Sequence, residues 1–295
     1  LLQAAVLGFG FMLTKIKSFL VLFFKKEQPF FFEKERRCRP GKQNAFILCT
    51  VALLVAAGDL APAARPYSRM DLPWWRARFD AKQAELRKRV DLVWLGDSIT
   101  QDFEYDGPEE WRNFAPVWQR FYGDRHAVNL GFKGDATAHL LWRIEHGETD
   151  GITPRLAIIL IGANNFGHLH WPAAPTLQGI ETIITTLHQR LPATKILLLG
   201  VLPSIRSAWV DENTQTLNHD LAARYGAGAD SLVTFKDLSY LFMKDGHVDA
   251  DRFLDPHLTP PDPPLHPSAQ TQARMAEAIE PIVSRLMGDH NKMAP

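Results

Sequence analysis

Beyond about residue 70, short runs rich in leucine and β-branched side chains alternate with longer stretches whose apolar residues recur every three or four positions. The short runs are 91–95, 126–129, 156–161, 195–200 and 232–235. Leu156, Ala157, Ile158, Ile159, Leu160 and Ile161 leave no polar side to face water, the pattern of a strand covered on both faces. Helices are predicted over 74–89, 137–145, 176–190, 214–225 and 268–286. In and just after the third, Leu177, Ile180, Ile184, Leu187 and Leu191 form one stripe that a helix turns toward a core. Strands that alternate with helices predict a parallel sheet covered by helical layers. Such sheets bind ligands beyond the carboxyl ends of their strands, so the residues following each strand are expected to carry the chemistry.

A leader is expected ahead of this body. Residues 36–64 hold, in order, basic Arg36, Arg37, Arg39 and Lys42, an apolar run from Ala45 to Ala57, and small Ala61, Pro62, Ala63 and Ala64. That order reads as a secretory signal cleaved near Ala63. Its apolar run of about 13 residues is shorter than the roughly 20 that a spanning helix needs. Residues 1–35, with further apolar runs, read as a second hydrophobic leader or an upstream translation artefact. The domain is then expected over 65–295, long enough for one substantial core. These readings place the protein in the periplasm or outside the cell, with no membrane association beyond an N-terminal anchor.

With 46% apolar and 22% charged residues, the composition is that of an ordinary globular protein. The 33 basic and 33 acidic side chains balance only over the whole chain, since nine basic and four acidic ones fall within residues 1–64. The remaining body is mildly acidic and lacks the positive footprint that nucleic-acid binding needs. Cys38 and Cys49 both lie in the leader, so the body has no thiolate nucleophile, disulfide or cysteine metal site. No Gly-x-Gly-x-x-Gly follows the first strand, which argues against a dinucleotide cofactor.

Four segments after strands or before the last helix carry candidate chemistry. The first reads Gly96-Asp97-Ser98-Ile99-Thr100, a sharp turn that leaves a serine hydroxyl exposed at the mouth of a helix, a nucleophile's position. Gly134, after the second strand, can aim its backbone N–H at an oxyanion without a side chain in the way, and Asn164, after the third, can add a side-chain N–H. The fourth segment, Asp262-Pro263-Pro264-Leu265-His266-Pro267-Ser268, supplies an imidazole able to take the serine proton, His266. Asp262 is the nearest carboxylate that could hold its tautomer. Phe166, His168, His170 and Trp171 are candidates to line an aromatic-edged cleft, and Asp97 and Asn165 are further candidate substrate contacts. His168 and His170, with no carboxylate or cysteine nearby in sequence, make a weak metal motif, and no metal site is expected.

These segments, in this order between about Val93 and Leu286, resemble the four blocks of the SGNH, or GDSL-type, hydrolases. The run from Gly134 to Arg143, with Gly162-Ala163-Asn164-Asn165 and Leu199-Gly200-Val201-Leu202-Pro203, resembles the branch that contains the catalytic subunits of platelet-activating-factor acetylhydrolase. The resemblance implies a flavodoxin-like three-layer α/β/α sandwich, an enzyme without metal or organic cofactor, Ser98 as nucleophile and His266 as base. It further implies an oxyanion hole made of the Ser98 N–H, the Gly134 N–H and Asn164. One departure bears on the acid. The family spaces acid and base as Asp-x-x-His, whereas Asp262 and His266 are four apart, so Asp255 stands as the substitute acid. The expected function is an exported serine esterase that removes short acyl groups, acetyl above all, from carbohydrate or other small esters. An acyltransferase acting on a polysaccharide and a non-catalytic glycan-binding protein are the alternatives.

Overall fold

The computed structural model describes residues 60–228 and 230–293. The expected leader up to residue 59, with both cysteines, lies outside the described residues. Five strands, β1 (Leu92–Gly96), β2 (Ala127–Gly131), β3 (Leu156–Leu160), β4 (Lys195–Leu199) and β5 (Val233–Lys236), form one sheet in the order β2-β1-β3-β4-β5. Every pairing is parallel. This is the flavodoxin-like order, with helices on both faces. The chain runs outward from β1 to β2, then crosses back to β3, so the order reverses beside β1. Gly96 pairs with both Gly131 and Leu160, so the three strands flanking that reversal end at one level.

The two faces follow from the two-residue side-chain period of a strand. Leu92, Trp94, Leu156, Ile158, Leu160, Leu197 and Leu199 point one way, and Val93, Leu95, Ala157, Ile159, Ile196 and Leu198 the other. Eight helices are described: α1 (Pro73–Leu86), α2 (Ser98–Gln101), α3 (Ala115–Tyr122), α4 (Thr137–Arg143), α5 (Ala163–Gly167), α6 (Ala173–Arg190), α7 (Ala208–Tyr225) and α8 (Ala269–Met287). The first face is covered by Phe121 and Tyr122 of α3 and Met275, Ile279 and Val283 of α8. The second is covered by Leu140 and Leu141 of α4, Ile180, Ile184 and Leu187 of α6, and Leu217 and Leu221 of α7. None of the described helices is long and apolar enough to cross a membrane.

The boundaries differ from expectation where capping outweighs periodicity. α7 begins six residues before the predicted 214, because the Ser207 hydroxyl accepts the Val210 N–H and caps the helix there. The expected domain start at 65 is also too late. Ala63 and Ala64 are buried, the Ala63 carbonyl accepts from Thr137 Oγ1 at 2.8 Å, and the Ala61 N–H donates to Gln178 Oε1 at 2.8 Å. Small residues that read as a cleavage site are packed against α4 and α6.

Candidate active site

One residue separates the end of β1 from the start of α2, and that residue caps the helix. Asp97 Oδ1 accepts the Ile99 N–H at 3.0 Å, and its carbonyl accepts from Gln101. Asn129 Nδ2 bonds Thr100 O, and Gln272 Nε2 bonds Ile99 O, each at 2.7 Å. These ties fix a four-residue helix too short to be stable alone, and they hold the Ser98 hydroxyl at its mouth. The His266 Nε2 lies 2.9 Å from Ser98 Oγ, across 168 residues of sequence. On the other side of the ring, Nδ1 lies 2.7 Å from Asp255 Oδ1. Asp255 Oδ2 accepts the backbone N–H groups of Leu265 (2.7 Å) and His266 (2.6 Å).

The carboxylate on the imidazole is therefore that of Asp255, and the expectation for Asp262 is corrected. Residues 252–254 run antiparallel to 266–268: the Leu254 N–H donates to His266 O, the Ser268 N–H donates to Arg252 O, and Phe253 bridges Pro267. The proline-rich segment between them is a loop that leaves and returns, and this brings residue 255 opposite residue 266. Asp262 sits on that loop with its side chain exposed, and only its backbone N–H touches Asp255, at the carbonyl.

Asn164, one of the expected hydrogen-bond donors, lies between the turn that carries Gly134 and the turn that carries Ser98. Asn164 Nδ2 donates one hydrogen to the Asp135 carbonyl at 2.9 Å, and its other near acceptor is Asp97 Oδ2 at 3.5 Å. It thus touches the residue after Gly134 and the residue before Ser98. Gly134 has a φ of 72°, left-handed backbone that side-chain-bearing residues rarely adopt, and this turn sets the direction of its N–H. Its loop is tied to α2 by the Lys133 N–H, which donates to Gln101 Oε1 at 2.9 Å.

Electrostatically the crevice is a cluster of shielded carboxylates around one imidazole. Burial pulls the His266 pKa down, but the hydrogen bond to Asp255 and the charges of Asp102, Asp255 and Asp97 outweigh it and hold the ring above its ordinary value. Burial pushes Asp97 up to about 7 and Asp102 up to about 6. An imidazole hydrogen-bonded to a hydroxyl on one side and a carboxylate on the other can take the hydroxyl proton as the oxygen attacks.

Residues 94–274, more than half of the chain, match the GDSL-like Lipase/Acylhydrolase family. The chain belongs to that family. It is 31% identical over 153 residues to the platelet-activating factor acetylhydrolase IB subunit alpha1 of Bos taurus, covering 50% of this chain and 60% of the relative. It is 27% identical over 205 residues to the alpha2 subunit of Gallus gallus, covering 68% of this chain and 81% of that one. A carbohydrate esterase family 3 structure from Talaromyces cellulolyticus shares the fold, with a TM-score of 0.51, 16% identity, and coverage of 68% of this chain and 99% of that one.

Within this GDSL-type fold, several expected substrate contacts prove to be structural. Asp97 is buried, and its carboxylate is engaged in capping α2. Asn165 is fully buried: its Oδ1 accepts the Thr137 N–H and its Nδ2 donates to Thr137 Oγ1, which fastens α5 to the start of α4. Phe166 is buried in the core and meets Trp209 ring to ring in a T-shaped contact. Trp171 is half-buried, with its N–H on Asn165 O, and His170 stacks on Trp209. Among the described residues, no cluster of three His, Cys, Asp or Glu side chains could hold a metal ion.

Beneath the GDSL-type turn lies a charged network absent from the expected site. Asp135, Arg143 and Glu148 are all 0% exposed. Asp135 Oδ1 accepts from Trp75 Nε1 (2.8 Å) and Arg69 Nη1 (2.9 Å), and its Oδ2 accepts from Arg143 Nε (2.9 Å). Arg143 also reaches Glu148 at 2.5 Å and donates to the carbonyls of Leu130 and Gly96, each at 3.2 Å. One guanidinium therefore braces the ends of β1 and β2 and, through Asp135, the turn that carries Gly134. The sequence signal was a charged residue three positions after Leu140 on the buried stripe of α4. Arg143→Ala would leave buried Glu148 without its ion-pair partner and Asp135 with Arg69 alone, and is expected to lower the unfolding free energy by about 3–5 kcal/mol. Chemical denaturation would check this; a change below about 1 kcal/mol would mean the network contributes little.

Proposed function

We propose that the chain is an exported serine esterase that removes short acyl groups, acetyl first among them, from carbohydrate or other small esters. The observation that carries this reading is the chain of contacts from Asp255 through His266 to Ser98 Oγ. In the reaction, Ser98 Oγ bonds to the ester carbonyl carbon while its proton passes to His266 Nε2. The oxyanion forms against the N–H groups of Ser98 and Gly134 and the Asn164 amide, the kind of arrangement in which one lost donor costs about a hundred- to a thousandfold in rate. The carbon–alkoxy bond then breaks, and His266 returns the proton to the leaving alcohol. Water attacks the acyl-serine with His266 again as base, which releases the acid and restores Ser98. The acetyl preference is supported by curated relatives named as acetylhydrolases, and the carbohydrate alcohol by the fold shared with a carbohydrate esterase. Export is supported by the order of charges and apolar residues in 36–64. Because Ala63 and Ala64 pack into the domain, the proposal moves the cut to the amino-terminal side of Leu60.

The test is turnover of p-nitrophenyl acetate and of acetylated oligosaccharides, with product analysis across pH. Free acetate supports the esterase. Transfer to a sugar hydroxyl would make the protein an acyltransferase, and the absence of turnover and of fluorophosphonate labelling would leave a glycan-binding protein. The base must be neutral to accept a proton, so kcat/KM is expected to fall as pH drops through the His266 pKa. That pKa is raised, so the midpoint of the acid limb is expected above 6.5, the ordinary imidazole value. The limb belongs to the coupled group of His266, Asp97 and Asp102 rather than to one residue. A midpoint below 6.5 would exclude the raised imidazole as the base.

A further inference from the structure

Arg206 follows β4 in the loop beyond the carboxyl end of the sheet. Its side chain lies back over α5, the short helix that carries Asn164: Nη2 donates to Ala163 O at 3.2 Å, and Nε donates to Ser204 Oγ at 3.3 Å. The guanidinium lies directly against Gly167: a Cβ there would come within 1.9 Å of Arg206 Nη1 and would push the end of the side chain aside. Arg69, Arg78, Arg125 and Arg143 each pair with a carboxylate, whereas half-buried Arg206 forms no ion pair among the described residues. Shielding a charge from water without a counterion is costly unless something else supplies the countercharge. Burial lowers the Arg206 pKa, and the attraction of Asp97 and Asp255, both beside the Ser98–His266 pair, acts against it. His168 reports the same grouping, since after burial the charges of Arg206, Arg69 and His266 hold its pKa down.

We propose that Arg206 is an anion-binding residue of this site, and that the preferred esters carry an anionic oxygen group, carboxylate or phosphate, on the part of the substrate that lies over Ala163–Gly167. The proposal rests on the esterase reading and names a substrate class for it. A guanidinium fork with most of its N–H donors free matches a carboxylate or phosphate in two parallel hydrogen bonds. Seated one residue from Asn164, it would hold the anion a few bonds from the reacting carbonyl.

The experiment compares matched ester pairs on the full chain: para-acetoxybenzoate against its methyl ester, para-acetoxyphenyl phosphate against its dimethyl ester, and a p-nitrophenyl hemisuccinate against its methyl ester. The readout is the ratio of kcat/KM, anionic over neutral, within each pair. The wild-type ratio is expected to be about tenfold or more in at least one pair, and to collapse in R206Q, chiefly through KM, with partial recovery in R206K. The pair that shows the preference distinguishes carboxylate from phosphate. In the wild type the ratio should also fall as salt is raised, a readout that does not depend on a variant folding. Ratios near one in all three pairs, an undiminished ratio in R206Q, or a salt-independent ratio would overturn the proposal. Turnover of the neutral esters with no anionic preference defeats this proposal alone, whereas no turnover of any ester defeats the esterase reading and the proposal together.

Discussion

Ser98→Ala is expected to lower kcat for p-nitrophenyl acetate by about a millionfold, the scale seen when a nucleophile acting as one unit with its base is removed. The attacking atom is lost outright, and no other described hydroxyl is bonded to His266. Residual turnover would come from the oxyanion donors, which the substitution leaves in place, and would keep the rate about a thousandfold or more above water. Stability should hardly change. Ser98 is not the cap of α2; Asp97 is, and the ties from Asn129 and Gln272 run to the carbonyls of Thr100 and Ile99. An unfolding curve close to wild type together with the rate loss is the expected pair of results. A kcat within tenfold of wild type would remove Ser98 from the mechanism.

The sheet was legible because its signal is local. Each strand is a short apolar run bounded by turn residues, and the two-sided apolarity of 156–161 can only be satisfied between two helical layers. The residues just beyond the strands were legible for the same reason: Gly134 and Asn164 lie within a few positions of a strand end, and the strands share one register. What sequence could not supply was pairing across distance. Asp262 is nearer to His266 in the chain than Asp255, yet the backbone bridge between 253 and 267 decides which carboxylate meets the ring. Asn165 and Phe166 looked like cleft residues because they adjoin Asn164. A helix turns successive side chains about 100° apart, and here it sends them into the interior. Ala63 and Ala64 fit both a processing signal and a tight packing site, since both demand small side chains. Arg206 carries no motif at all, and its place over α5 follows only from the path of the loop after β4.

Asp255→Asn and Asp262→Asn should separate the two candidate acids by about four orders of magnitude, because only the first changes which ring nitrogen holds the proton. Two backbone N–H groups, those of Leu265 and His266, point at Asp255 Oδ2 and require an acceptor there. An asparagine at 255 must therefore turn its carbonyl oxygen to them and its NH2 toward His266 Nδ1. That nitrogen then has to accept, so the proton moves to Nε2, and the ring faces Ser98 as a donor that cannot take the serine proton. kcat is expected to fall about ten-thousandfold with the fold intact. The loss of the Asp255 charge and hydrogen bond also removes two of the influences that raise the His266 pKa, so the acid limb of any residual activity should move to lower pH. Asp262→Asn alters an exposed side chain whose carboxylate does not reach the ring, and kcat should stay within about twofold of wild type. Steady-state rates for the two variants, with matched unfolding curves, decide between the residues: a larger loss at 262 would mean that the loop closes differently during catalysis and that the bridge between 253 and 267 does not set the acid.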